Sequence, residues 1–192
     1  MSAWSQDFWN DRNTTERNAL YNRIMSDRVR IAEGVPKFAA DRMLSRLARW
    51  LRLMGADVLC DQTLSGAEVL RRAREQGRPL LTRDKRLRTA SDVLYIESHL
   101  FRDQIREVMA HYPFDPHRYA FTRCSSCNHL LKQVGREAVA RTVPPFVYAA
   151  HENFAICEHC NRVHWDASHV ERAMSEIEAL KTAPPEHPAP SG

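Results

Sequence analysis

Seven side chains stand out for the chemistry their types and spacing allow. Cys124-Ser-Ser-Cys127 and Cys157-Glu-His-Cys160 are two CxxC pairs separated by 29 residues. A CxxC turn sets two sulfurs on one side of an ion, and zinc takes four tetrahedral thiolates, so the spacing predicts one structural zinc. One pair alone would equally suit a redox dithiol or a disulfide; two pairs with matched flanks favour metal. Tyr119 and Phe121, Leu130 and Leu131, Phe154 and Ile156, and Val163 and Trp165 read as the strands of two knuckle hairpins. The gap exceeds the common ribbon spacing, which predicts an insertion containing Pro144-Pro145. His129, His151, His159 and His164 lie close by in sequence, but four thiolates suffice. Cys60 stands inside an apolar strand and reads as a buried small hydrophobe.

Asp41, Asp61 and Asp84 each close a predicted strand, at spacings of 20 and 23 residues. In an open parallel α/β sheet, ligands bind at the carboxyl ends of the strands. Consecutive βα units would bring these carboxylates to one edge, where they repel unless a hard cation such as Mg²⁺ or Mn²⁺ neutralises them. Such an ion lowers the pKa of its water and stabilises charge on a phosphate. Arg83, Lys85, Arg86 and Arg88 surround Asp84, and arginines ring Asp41. That setting suits hydrolysis of a polyanion. The competing reading is structural, because an Asp at a strand-to-helix junction is often an N-cap. For Asp41 alone the cap is favoured; three aspartates at matching junctions tilt the balance toward a site. Glu68 stays open: Ser65-Gly-Ala-Glu68 fits a capping box, and Glu68 equally fits a further metal ligand.

The elements that must position these groups follow from periodicity. Phe38-Ala39-Ala40 is a short strand ending at Asp41. A helix over 42–54 stops at Gly55. It has Met43, Leu44, Leu47, Trp50, Leu51 and Met54 on one face and Arg42, Arg46, Arg49 and Arg52 as a stripe on the other. A strand over 57–60, a helix over 66–76 ending at Gly77, a strand over 79–82, a strand over 93–96 and a helix over 100–111 come next. Strands alternating with helices imply parallel pairing and right-handed crossovers. The expected fold is therefore α/β, with a small core that gains from docking against the C-terminal module.

With 192 residues, 43% hydrophobic and 27% charged, the chain suits one modest domain or two small ones. No run approaches the roughly 18 apolar residues of a membrane helix. Residues 1–20 are polar, so no secretory leader is expected, and the expected compartment is the cytoplasm, where thiols stay reduced. The net charge of +4 is concentrated: residues 37–90 carry 13 Lys or Arg against 6 Asp or Glu. A basic segment with a few isolated acids predicts a polyanion partner. Residues 1–36 read as a loosely ordered extension with a short helix near 15–25. Residues 182–192, with four prolines, read as a disordered tail.

Asp41-Arg-Met-Leu-Ser-Arg-Leu-Ala-Arg-Trp-Leu-Arg, Leu81-Thr-Arg-Asp84, Arg123-Cys-Ser-Ser-Cys-Asn128 and Val143-Pro-Pro-Phe-Val-Tyr148 together carry a resemblance. So do Cys157-Glu-His-Cys160 and Trp165-Asp-Ala-Ser-His169. Over residues 37–172 the chain resembles the Mut-seven C-terminal RNase domain family, a PIN-like nuclease fused to a zinc ribbon. The resemblance implies a PIN-like three-layer α/β/α unit over 37–115 and a zinc-ribbon module over 116–175. It also implies divalent-metal RNase activity, with Asp41 and Asp84 catalytic and the four cysteines binding zinc. Such domains often open the second helix with an acid, where this chain has Gly66; Asp61 or Glu68 would then complete the site. The functional expectation is a Mg- or Mn-dependent ribonuclease whose RNA lies on Arg42, Arg46, Arg49, Arg83 and Lys85. The alternatives are a non-catalytic zinc-containing RNA-binding module and a module that docks an acidic protein.

Overall fold

The computed structural model describes residues 34–165 together with Ser175 and Ala179. The extension before residue 34, the tail, and the Ser168-His169 pair lie outside the described residues. Four short strands, β1 (Lys37–Ala40), β2 (Asp57–Leu59), β3 (Leu80–Thr82) and β4 (Val93–Tyr95), form one sheet in the order β2-β1-β3-β4. All three pairings are parallel. Helices α1 (Ser45–Leu53) and α2 (Gly66–Glu75) lie between strands in the chain, and α3 (Phe101–His111) follows β4.

Strand alternation divides the core into two layers. Phe38, Ala40 and Leu81 face one side and pack with Leu44, Leu47 and Leu51 of the first helical segment and Ile105 and Val108 of α3. Ala39 and Leu80 face the other side and pack with Val69 and Ala73 of α2. The sheet is thus covered on both faces, as the alternating pattern of elements predicts. Among the described residues no helix is long and apolar enough to cross a membrane.

Two expectations for the first helix need correction. Residues Arg42–Leu44 form a 3₁₀ turn before α1 begins. A 3₁₀ turn advances about 120° per residue against about 100° in an α-helix, which shifts the phase of the first residues. Met43, expected inward, is accordingly 66% exposed. Arg52, expected on the solvated stripe, is 6% exposed.

The C-terminal part holds the short helix α4 (Pro116–Tyr119), then β5 (Lys132–Val134), α5 (Pro145–Ala150), β6 (Phe154–Ile156) and β7 (Val163–Trp165). The three strands form an antiparallel sheet in the order β5-β6-β7. Tyr119, expected in a strand, closes a helical turn instead, and Phe121 adopts φ 60°. The expected insertion contains α5, with Pro145 at its first turn, where its missing N–H costs nothing.

The first CxxC turn meets the parallel sheet at the free edge of β2. Val58 N–H donates to Asn128 Oδ1 at 3.0 Å, and Val58 C=O accepts from Arg52 Nε and Nη2 at 3.0 and 2.9 Å. Arg52 Nη1 also donates to the carbonyls of Ser125 and Ser126, inside the first CxxC turn. An open strand edge exposes unpaired backbone groups, and here the cysteine module covers them. Gly55 marks the same contact: at φ 94°, a Cβ there would fall 2.1 Å from the Tyr119 carbonyl oxygen. Asp57 completes the junction, bound by Arg78 and by Asn128 Nδ2 at 2.7 Å. Burial works against the Asp57 carboxylate, but the hydrogen bonds from Arg78 and Asn128 outweigh it and hold its pKa below the usual range.

Candidate metal centres and active site

The two CxxC turns are built alike. Cys124 N–H donates to His129 C=O and Asn128 N–H to Cys124 C=O; Cys157 N–H donates to Arg162 C=O and Asn161 N–H to Cys157 C=O. Asn128 and Asn161, each following the second cysteine, adopt φ 71° and 56°. Asparagine tolerates this left-handed region better than most residues, so Asn supplies the turn that aims both sulfurs inward. The repeated CxxCN was the legible signal for this role.

All four sulfurs lie within 4.8 Å of one another. Cys124 Sγ is 3.7 Å from Cys160 Sγ, and Cys127 Sγ is 3.3 Å from Cys157 Sγ. Thiolates about 2.3 Å from a tetrahedral zinc lie roughly 3.8 Å apart, so the cluster fits that ion. A disulfide needs about 2.05 Å, which no pair approaches. Burial pushes the Cys127 thiol up to about 12. At Cys157 burial is outweighed by the main-chain N–H groups of Cys160 and His159 and by the Cys127 side chain, and the thiol falls to about 7. The His129 and His159 rings stack at 3.8 Å and 9° beside Cys127. Cys127, His129 and His159 also lie within metal-ligand reach of one another, but parallel stacked rings aim their in-plane nitrogens poorly at one ion, so the four sulfurs fit zinc better.

At the other edge, Asp41 and Asp84 follow adjacent strands. Asp41 is 7% exposed, and its carboxylate is heavily engaged. Oδ1 accepts from Met43 N–H at 2.8 Å, which is the N-cap bond of the 3₁₀ turn. Oδ2 accepts from Arg83 N–H at 3.1 Å and from the Thr82 hydroxyl. The Thr82 hydroxyl oxygen in turn accepts from Asp84 N–H at 3.0 Å. Fully buried Thr82 therefore ties the two aspartates together. No role fell to it in the sequence, although it stands two residues before Asp84 and so shares its side of the strand.

Asp84 caps the 3₁₀ turn Lys85–Leu87 and takes a two-pronged bond from Arg86. The Arg86 hydrogen bonds hold the Asp84 carboxyl below its ordinary range. Asp61 Oδ1 accepts from the Thr63 N–H and hydroxyl, which likewise lower its pKa. Ser65 and Glu68 form a complete capping box at the start of α2. A Cβ at Gly66 would point to within 3.8 Å of Asp84 Oδ2, so an acid at this position would face the site. Among the described residues, Asp41, Asp61, Glu68 and Asp84 do not form a group of three within metal-ligand reach.

A family model described as the Mut7-C RNAse domain matches residues 36–177. The chain belongs to this family. No curated protein and no solved structure matches it. The four cysteines and the aspartates that follow β1 and β3 all lie inside the matched region of this Mut7-C chain.

The basic residues divide. Arg42, Arg49 and Lys85 are exposed, and their side chains have no partner among the described residues. The Arg46 guanidinium stacks 4.3 Å over the Phe101 ring, and Arg83 Nη1 donates to the Ser98 carbonyl at 2.7 Å.

Proposed function

We propose that this Mut7-C chain is a Mg- or Mn-dependent ribonuclease with a PIN-like catalytic unit over 37–115 and a structural zinc module over 116–175. The observation that carries the reading is the Asp41–Thr82–Asp84 linkage at adjacent strand ends, in a chain belonging to an RNase domain family. Magnesium is commonly held by one or two carboxylates plus water, so two aspartates fit without a third. Asp84 would be the principal ligand and Asp41 the second, with Asp61 or Glu68 able to join through water. When bound, the ion supplies an activated water and neutralises charge on the phosphate.

The chain's own residues do the rest. Thr82 and the Arg83 N–H fix the Asp41 carboxylate against rotation, leaving little to reorganise during reaction. Arg42, Arg49 and Lys85 are free to take backbone phosphates, with Arg46 and Arg83 as wider contacts that first release their present partners. The zinc module holds the β2 edge through Arg52 and Asn128, and it can lend RNA contacts of its own. A reducing compartment, the cytoplasm, suits a chain whose five cysteines are unpaired.

A second reading is a non-catalytic RNA-binding module, favoured by Gly66 and by the lack of a three-acid group among the described residues. Asp84→Asn separates the two. Asp41→Asn does not, because an amide cannot satisfy the three donors around Asp41 and the fold would suffer with or without metal. Losing a metal's transition-state stabilisation of several kcal/mol costs roughly a hundredfold or more in rate. Asp84→Asn should therefore cut single-stranded RNA at least about a hundredfold more slowly with Mn²⁺, while melting near wild type without it. Equal rates in both proteins refute the ribonuclease mechanism; RNA binding with no cleavage in either supports the binding module.

A further inference from the structure

Three cations follow Asp84 along one 3₁₀ turn, and they behave differently. Lys85 points to solvent without a partner among the described residues. Arg88 turns away, bonding Glu97 Oε1 at 2.5 Å and lying 5.1 Å over the Tyr95 ring. Arg86 folds back. Its main-chain N–H donates to Asp84 Oδ1 at 3.0 Å, its Nε lies 2.9 and 3.1 Å from Oδ1 and Oδ2, and its Nη2 lies 2.6 Å from Oδ2. The Arg86 side chain is 87% exposed and that of Asp84 22%.

The exposed arginine thus covers both oxygens of Asp84. Asp41 accepts three hydrogen bonds, from Met43, Thr82 and Arg83, which leaves one lone pair on Oδ1 for an ion. A divalent ion needs direct oxygen contacts near 2.1 Å and cannot share those lone pairs with a two-pronged guanidinium. A released guanidinium is the side chain best shaped to grip a phosphate through two parallel hydrogen bonds.

We propose that Arg86 is a built-in counter-ion for Asp84 that must leave the carboxylate when a divalent ion binds, and that it then takes a backbone phosphate of RNA. The inference rests on the metal-dependent ribonuclease reading and adds a coupling to it. Whatever draws Arg86 off Asp84 favours the ion, and the ion equally favours phosphate binding, because linkage is reciprocal.

The test is calorimetric titration of Mn²⁺ into the full chain with its cysteine site zinc-loaded, for wild type, Arg86→Ala and Arg88→Ala. Arg86→Ala should bind Mn²⁺ about two- to fivefold more tightly, the factor an exposed ion pair amounts to. Arg88→Ala removes the same charge without touching Asp84 and should match wild type. Repeated with saturating single-stranded oligodeoxynucleotide, Mn²⁺ affinity should rise more in wild type than in Arg86→Ala. Equal Mn²⁺ affinity in wild type and Arg86→Ala, with both proteins folded by melting, overturns the counter-ion role. No Mn²⁺ binding by either removes the metal site itself, and with it both readings. An equal response to the oligonucleotide in both proteins overturns the handover to phosphate.

Discussion

Replacing Arg52 with alanine should cost the protein about 3–4 kcal/mol, a large share of the ~5–15 kcal/mol that holds a typical domain together. Arg52 is 6% exposed and makes four hydrogen bonds to three carbonyls: two to Val58, one each to Ser125 and Ser126. Each buried carbonyl left unpaired costs roughly 1–3 kcal/mol. Three would therefore cost about 3–9 kcal/mol if none regained a partner. Two effects reduce this. Water can reach the vacated space beside the half-buried CxxC turn, and the charge itself is expensive to bury. The second is visible in Arg52's pKa, which burial lowers although the sulfurs of Cys60, Cys127 and Cys124 and the Asp57 carboxylate pull the other way. The estimate therefore falls at the low end of that range. A zinc ion with four thiolates carries net negative charge, so the loss should also show as faster zinc release to a chelator.

The assay is urea unfolding of the zinc-loaded protein, paired with a chromophoric chelator. Arg52→Lys is the discriminating control: it keeps the charge but cannot reach Val58 and the serine carbonyls together, so it should recover less than half of the loss. Asn128→Ala serves the other backbone group of Val58, and the double variant should be non-additive by about 0.5–3 kcal/mol. A loss below about 1 kcal/mol for Arg52→Ala, or full recovery by lysine, would refute the idea that the guanidinium fork joins β2 to the first CxxC turn.

Gly55→Ala should destabilise strongly, by about 3 kcal/mol or more, because the residue combines φ 94° with a 2.1 Å approach to Tyr119; equal melting of the variant would show that the junction yields easily. Gly66→Asp places a carboxylate toward Asp84 Oδ2, 3.8 Å from the new Cβ, and should strengthen Mn²⁺ binding and raise cleavage; calorimetry showing weaker binding would go against a metal at this edge. Asp57 has a folded pKa below its unfolded value, so its stabilisation is fully present above about pH 4–5 and is lost as pH falls through the folded pKa. The stability gap between wild type and Asp57→Asn should accordingly narrow between about pH 5 and pH 3, measured by denaturant titration at each pH. Cys127→Ser should lose the metal and unfold the β5-β6-β7 sheet, seen by metal analysis and circular dichroism; free thiols with unchanged melting in chelator would contradict a structural site.

The sequence by itself determined whatever depends on near neighbours along the chain. Short apolar runs at Phe38-Ala39-Ala40 and Leu80-Leu81 marked strands, and glycines at 55 and 77 marked where helices stop. Ser65 and Glu68 announced their capping box because both legs of that motif lie within one turn. The CxxC spacing announced four clustered sulfurs because each pair is set by a local turn. Tertiary structure decided the rest. A helical wheel gives an angle around its own axis but not what covers that angle. Arg52 therefore read as solvated, when the cysteine module, over seventy residues away in sequence, buries it. Met43 failed for a subtler reason, a 3₁₀ turn that altered the angle itself. The carboxylates were legible as strand-end residues, yet their partners were not. Thr82 bridges Asp41 to Asp84 only because β1 and β3 are adjacent in the sheet, and that pairing order is a property of the packed core rather than of any one segment.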